Sequence, residues 1–548
     1  MLGLSCTPTP QFDVVIRGGT IYDGSGDLPF VGDVAINADT IAALGDLAGV
    51  SGTTEIDASG LAVAPGFINM LSWATKTLIE DGRSQSDIRQ GVTLEVFGEG
   101  DSGGPINEAM RAEMQSDQTY IKYDVTWTTL AQYLEYLTDR GVSPNVASFV
   151  GATTVRIHEL GYDDRAPTDD ELDRMRDLVR QAMEEGAMGV GSSLIYAPAF
   201  YARTDELVEL SKVAAEYDGM YISHIRSEGP RLIEAVDELI SIAREVGIRA
   251  QIYHLKVAGK ENWYKLDEVI ARVETARAEG LDITADMYTY IAGATGLDAA
   301  MPPWVQEGGF GKWRERLMDP AVRERVLREM QTPTDEWENL MQLAGADGML
   351  LSGFRKQQLK SLIGRRLSDV ASERGVSPED AAIDLVITDS SRVSTVYFLM
   401  SEENVKRQIA LPWVSFDSDA ESSSPEGVFL NWSPHPRAYG NFSRLLGKYV
   451  RDENVIPLEE AVRKLTSLPA GILKIKKRGS ITTGYFADLA IFDPATIQDL
   501  ATFEEPHQFA TGMVHVFVNG EQVLRDGEHT GALPGRVVRG PGYRPTNH

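Results

Sequence analysis

Two stretches decide how this chain folds: Tyr221-Ile-Ser-His224-Ile-Arg226 and Gln251-Ile-Tyr-His254-Leu-Lys256. Each is a short apolar, β-branched run that ends in a histidine. A helical pattern follows each, Pro230-Arg-Leu-Ile-Glu-Ala-Val after the first and Tyr264-Lys-Leu-Asp-Glu-Val-Ile after the second. Strand, polar residue and helix, repeated after about thirty residues, read as consecutive βα units of a parallel sheet. In a parallel barrel the chemistry sits where strands end and loops begin. Two histidines at neighbouring strand ends then face one pocket, and neutral imidazole is the commonest metal ligand. One such histidine alone is more often a hydrogen-bonded core or loop residue. The matched pair reverses that preference.

Outward from this pair the same rhythm continues. Leu61-Ala-Val-Ala-Pro-Gly-Phe-Ile, Thr93-Leu-Glu-Val-Phe, Val146-Ala-Ser-Phe-Val and Met188-Gly-Val-Gly-Ser-Ser-Leu-Ile-Tyr196 precede it as strands. Thr168 with Glu171 three residues on forms the capping-box pattern of a helix start. Leu281-Asp-Ile-Thr-Ala-Asp286 follows, and a last strand ends at Trp413-Val-Ser-Phe-Asp417-Ser-Asp419. Ala382–Asp389 and Val396–Met400 read as further units of the rhythm. Pro302–Leu350, with Trp304, Trp313 and Trp337, breaks it and reads as a helical insertion over the pocket mouth. Both ends of the chain alternate apolar and polar residues, with a Gly18-Gly19 hairpin signal near the start. The expected architecture is α/β: a (β/α)8 TIM-type barrel with a small β-sandwich domain built from both termini. The expected boundaries are a disordered head at 1–11, β-domain at 12–63, barrel at 64–470 with the insertion at 302–350, and β-domain again at 471–548.

Composition sets outer limits. Lys plus Arg is 52 against 81 for Asp plus Glu, a formal charge of −29. That excludes nucleic acid and anionic membrane as natural partners, and no apolar run approaches the roughly 18 residues of a transmembrane helix. Cys6 is the one cysteine, so neither a disulfide framework nor a cysteine-based zinc cluster fits one chain. Cys6 lies in a head that reads either as disordered or as the remnant of an export signal ending at a lipidated cysteine. The compartment is therefore open between cytoplasm and periplasm for a soluble protein, as is self-association into a homo-oligomer. Acids stand after three strands: Glu99 and Asp101, Asp286, and Asp417 and Asp419. An acid there is either a helix N-cap or the general base a metal-assisted hydrolysis needs.

Taken together, Val14-Ile-Arg-Gly-Gly-Thr-Ile-Tyr-Asp-Gly, Ala64-Pro-Gly-Phe-Ile, Gln90-Gly-Val-Thr, His224-Ile-Arg, His254-Leu-Lys, Asp419, His435-Pro-Arg and Gly484-Tyr-Phe-Ala-Asp-Leu resemble the amidohydrolase superfamily. Within it the chain looks like the D-aminoacylase (N-acyl-D-amino-acid deacylase) family, from about Phe12 to Arg539. The resemblance implies zinc at the strand ends and amide hydrolysis by a metal-bound hydroxide. An aspartate serves as base and then acid, because an amine leaves only when protonated. Position by position it makes His224 and His254 the metal histidines and Asp419 the catalytic acid/base, with Asp417 its rival. Lys256 and Tyr288 match positions that hold the substrate carboxylate or carbonyl oxygen; Arg226, Arg437 and Tyr196 complete the pocket candidates.

The chain departs from the pattern twice. Leu71 and Trp73 stand where the superfamily has His-x-His, and glycine replaces the cysteine expected after the second strand, in Gly98-Glu99-Gly100-Asp101. A two-metal centre in the family's form is therefore excluded. One zinc ion is expected instead, on His224, His254 and a replacement third ligand: Glu99 first, Asp101 second. The resemblance thus implies a mononuclear hydrolase of N-acyl-D-amino acids or related dipeptide-like amides, acting on a small substrate that carries a carboxylate. The alternatives are a non-catalytic binding protein with an eroded metal site, and a hydrolase of cyclic amides or esters.

Overall fold

The computed structural model describes residues 11–545. The head with Cys6, and the readings placed on it, lie outside these residues. β1 (Phe12–Ile21) pairs antiparallel with β2 (Phe30–Asn37), which pairs with β3 (Thr40–Gly45). β4 (Gly52–Asp57) and β5 (Ala62–Pro65) lie parallel to β1. Gly18-Gly19 is not a hairpin turn. The chain runs through it as one strand with a bulge, Gly18 at φ 64°. Its freed N–H donates to Asp33 Oδ1 at 2.8 Å, so a side chain takes the place of a ladder partner.

The parallel strands follow: β6 (Phe67–Asn69), β7 (Val92–Phe97), β8 (Asn145–Ser148), β9 (Val150–Gly151), β10 (Gly189–Ser193), β11 (Met220–His224), β12 (Arg249–Ile252) and β13 (Ile283–Met287). β8 and β9 are one strand interrupted at Phe149; β8 pairs with β7 and β9 with β10. Every neighbouring pair is parallel. The helix Leu232–Val246 between β11 and β12 shows why the layers form. Leu232, Ala235, Val236, Leu239, Ile240 and Ala243 are buried at three- and four-residue spacing. Thr168 caps the helix Asp169–Glu185 with the reciprocal Glu171 bond expected of a capping box.

Between β13 and the last parallel strand the chain leaves the rhythm for longer than the sequence indicated. β14 (Ala292–Gly296), β15 (Met349–Gly353) and β16 (Ser394–Phe398) form a separate antiparallel sheet in the order β14-β16-β15. Its helices enclose a core of their own around Trp313, Met330 and Leu385. The excursion therefore spans 292–398, wider than the expected 302–350. Ala382–Asp389, read as a strand, belongs to the helix Pro378–Asp389. Ser377 caps that helix, Pro378 occupies its first position and Glu379 and Asp380 sit in its first turn, which outweighs the β-branched run.

β17 (Val414–Phe416) then pairs parallel with β13. Just beyond it, the Met70 amide donates to Phe416 O (3.3 Å) and the Asp419 amide to Leu71 O (3.0 Å), tying the last parallel strand to the first. β18 (Leu489–Phe492), β19 (Met513–Val518), β20 (Glu521–Arg525) and β21 (Glu528–His529) return to the amino-terminal strands. Together they make one nine-stranded sheet, ordered β21-β20-β19-β18-β5-β1-β2-β3 with β4 beside β1. Among the described residues no helix is long and apolar enough to cross a membrane.

Candidate metal centre

Three parallel strands each deliver one group to the same point. His224 is the last residue of β11, Glu99 lies two past the end of β7, and His254 two past the end of β12. His254 sits at φ 32°, a left-handed conformation costly for a non-glycine residue. Its amide donates to Asp286 Oδ1, a carboxylate also held by Gln251. One Glu99 oxygen, Oε1, lies 2.9 Å from His224 Nδ1 and 2.8 Å from His254 Nε2. The imidazoles are nearly perpendicular, centroids 4.6 Å apart. All three residues are buried, and their ligand atoms lie within 4.8 Å of one another. Asp101, the second choice for a third ligand, is exposed on the same loop and outside this trio.

Behind the histidines stands a carboxylate the sequence reading did not single out, Glu228. Its Oε1 is 3.1 Å from His254 Nδ1, 2.9 Å from Lys256 Nζ and 3.8 Å from His224 Nε2. Burial works to raise both Glu99 and Glu228, yet both are held below the usual carboxylate range. For Glu99 the opposing charge comes from His254 and His224; for Glu228 it comes first from Lys256. Burial likewise opposes the charge on Lys256, and Glu228 more than restores it. The donor set fits a divalent ion. It comprises one carboxylate and two imidazoles, with the far nitrogen of His254 held 2.6 Å from Lys256 Nζ and 3.1 Å from Glu228 Oε1. His224 Nε2 is buried with no hydrogen-bond partner.

Asp419 lies beside this centre, at φ 42°, close enough for its charge to act on His254 and Lys256. Its two oxygens face different donors: Trp73 Nε1 donates to Oδ1 at 3.1 Å, and Arg437 Nη1 is ion-paired with Oδ2 at 2.9 Å. The Arg437 guanidinium lies 4.3 Å from the centre of the Tyr288 ring, and Lys256 Nζ lies 5.5 Å from it. The Tyr288 hydroxyl is buried without a partner. Tyr196 meets His224 edge-on at 5.4 Å. The structure thus gathers Glu99, His224, His254, Lys256, Tyr196, Tyr288, Asp419 and Arg437.

Arg226 does not join them. Its guanidinium is spent on Glu238 (2.9 Å from both Nε and Nη2) and on the carbonyls of Phe200 (3.2 Å) and Ala202 (3.0 Å), which fills the fork. Asp417 is buried beside Asp286, both its oxygens without donors. Burial, and then the Asp286 charge, push it far above the usual carboxylate range. Both effects disfavour its ionised form, which makes Asp417 the weaker candidate base beside Asp419. Where His-x-His is missing, Leu71 is packed with Ile68, Met70, Leu94 and Val96 and offers no ligand atom.

Strand ends carrying a carboxylate, two imidazoles and a neighbouring aspartate offer the donor set of a metal-dependent hydrolase, and residues 418–524 match the Amidohydrolase family. The chain is 33% identical to D-aminoacylase of Alcaligenes xylosoxydans xylosoxydans, over 98% of this chain and 99% of that one. It therefore belongs to the D-aminoacylase family. A solved D-aminoacylase structure, described in terms of one-metal activation and second-metal attenuation of a binuclear centre, superposes with a TM-score of 0.80 at 32% identity. It covers 96% of this chain and all of its own. N-acyl-D-glutamate deacylase from Bordetella bronchiseptica, complexed with zinc and a phosphonate mimic of the tetrahedral intermediate, superposes with a TM-score of 0.78 at 29% identity, covering 96% and 99% of the two chains.

Proposed function

We propose that this chain is a metal-dependent amide hydrolase that removes the acyl group from N-acyl-D-amino acids, using one zinc ion. The observation that carries the reading is the single Glu99 oxygen within 2.9 Å of a nitrogen of each histidine, which rebuilds a three-ligand site without the family's cysteine. The relatives support the bond and the D-configuration. We read β6 through β13 and β17 as eight staves of a closed (β/α)8 barrel within 64–470. We read 12–63 and 471–548 as its β-sandwich companion, and the excursion as cover for the pocket mouth.

Glu99, His224 and His254 would hold the ion, which when bound supplies Lewis acidity toward the amide carbonyl and a more acidic water. Asp419 accepts the proton of the attacking water on its carboxylate and returns it to the leaving nitrogen as the C–N bond breaks. The products are a carboxylic acid and a free amine. Arg437 and Lys256, both against the Tyr288 ring, are the buried cations nearest the centre; a substrate carboxylate would share them with Asp419 and Glu228, their present partners.

Elemental mass spectrometry of the purified protein, alongside turnover of N-acyl-D-, N-acyl-L- and cyclic amides, tests the reading. The expected result is one equivalent of zinc, lost in His224→Ala and reduced in Glu99→Ala, with hydrolysis confined to linear D-substrates. A parent that takes up no metal when zinc is supplied would overturn the hydrolytic reading. Preferential turnover of cyclic amides would change the bond.

A further inference from the structure

We infer that Trp73 is a positioning residue for the reaction: its indole N–H fixes the carboxylate of Asp419 in place of the second metal site that this chain has lost. The inference rests on the deacylase reading for its kinetic consequence, and on geometry alone for the contact.

The backbone brings the two segments together. The Asp419 amide donates to Leu71 O at 3.0 Å, and the Trp73 amide donates to Ala420 O at 2.9 Å. Ser72 and Ala420 form a parallel bridge between these two bonds. Residues 71–73 and 419–420 therefore run side by side across the seam between the first and last parallel strands. The Trp73 side chain lies diagonally across this seam from Asp419, whose register partner is Leu71, and its Nε1 reaches Oδ1 at 3.1 Å. Arg437 occupies the other oxygen, so the carboxylate is held from both sides.

The chemistry of the two donors matters. An indole nitrogen carries a hydrogen and no available lone pair, so it cannot ligate an ion and it cannot take a proton from Asp419. It remains a donor whether the carboxyl is charged or protonated. A group that shuttles a proton from water to amine must keep its position through both states. A donor-only partner on one oxygen and a permanent cation against the other provide that, whereas a histidine at the same place could be drawn to a metal. The left-handed backbone of Asp419, φ 42°, is the kind of strained conformation held only where neighbours over-determine it.

The experiment uses Trp73→Phe, which keeps an aromatic ring and removes only the N–H, and a second variant, Asp419→Asn. In Trp73→Phe the expected result is a kcat about 10- to 100-fold lower, with KM and bound zinc unchanged. A kcat equal to the parent's would overturn the proposal. So would loss of zinc in step with kcat, since that marks a structural role. The contact is read without activity by ¹⁵N-tryptophan spectra of the full chain, where the Trp73 indole signal is the one of eight missing in Trp73→Phe. That signal should be downfield in the parent and shift upfield in Asp419→Asn. An unmoved signal would overturn the hydrogen bond. If the parent turns over no N-acyl-D-amino acid, the deacylase reading fails by itself, and the indole signal still decides whether Trp73 holds Asp419.

Discussion

At the scale of single residues, the proposed centre sets a carboxylate where the family has a thiolate, with a second carboxylate behind it. Glu228 lies 3.1 Å from the far nitrogen of His254, and Lys256 Nζ sits between them, 2.6 Å from that nitrogen and 2.9 Å from Glu228 Oε1. Replacing Glu228 with glutamine keeps the shape and removes the charge. Zinc affinity of Glu228→Gln, measured by competition with a chromogenic chelator, should fall about 10- to 100-fold, the usual effect of losing such a support. Legibility at this scale followed the chain's periodicity. His224 and His254 stood out because two adjacent units end alike, and Glu99 because the cysteine beside it was missing. Glu228 was invisible because an acid four residues past a histidine looks like any loop acid until β12 is laid beside β11. Arg226 misled for the converse reason: its partner Glu238 sits on the following helix, and only the turn between them shows that the charge is already spent.

At the scale of elements, one side chain of the excursion meets the loop directly behind the site. Glu338 Oε2 accepts from Ser227 Oγ (2.8 Å) and from the amides of Glu228 (2.6 Å) and Gly229 (3.2 Å), directly after the strand that carries His224. Burial, reinforced by the charge of Glu228, raises Glu338 from 4.5 to about 7. The folded state therefore binds more protons than the unfolded chain between those values, and stability must decline as pH rises across that window. Melting temperatures recorded from pH 4.5 to 7.5 should show that decline in the parent and a flatter profile in Glu338→Gln. The length of the excursion was not legible. Ile383-Asp-Leu-Val-Ile387 has strand composition, and its helical fate depends on the Ser377-Pro378 cap upstream. The strands of the excursion pair with one another, not with the parallel set, and no local pattern in the sequence encodes that choice.

At the scale of the whole molecule, a net charge of −29 repels the anionic substrates proposed for it. Raising ionic strength from about 20 mM to about 200 mM shortens the screening length to under 10 Å and should lower KM for an N-acyl amino acid roughly two-fold, while a neutral amide shows no change. Steady-state kinetics on the two substrates at both salt levels checks it. The gross architecture was legible because alternating patterns crowd the ends of the chain and βα units fill its middle. That both ends build one small β-domain, a β-sandwich, was the simplest inference from this; the structure joins strands of both ends in one nine-stranded sheet. It also makes the protein's synthesis unusual. β5 lies between β1 and β18, and β18 begins more than four hundred residues later. At ordinary elongation rates the ribosome delivers that covering strand on the order of half a minute or more after β5 has emerged. Throughout that interval the nascent chain displays an unpaired strand edge that only its own last tenth can cover. A chain ending before Leu489 should therefore accumulate as aggregate even though every proposed site residue is present, and the soluble fraction after expression of such a truncation measures it.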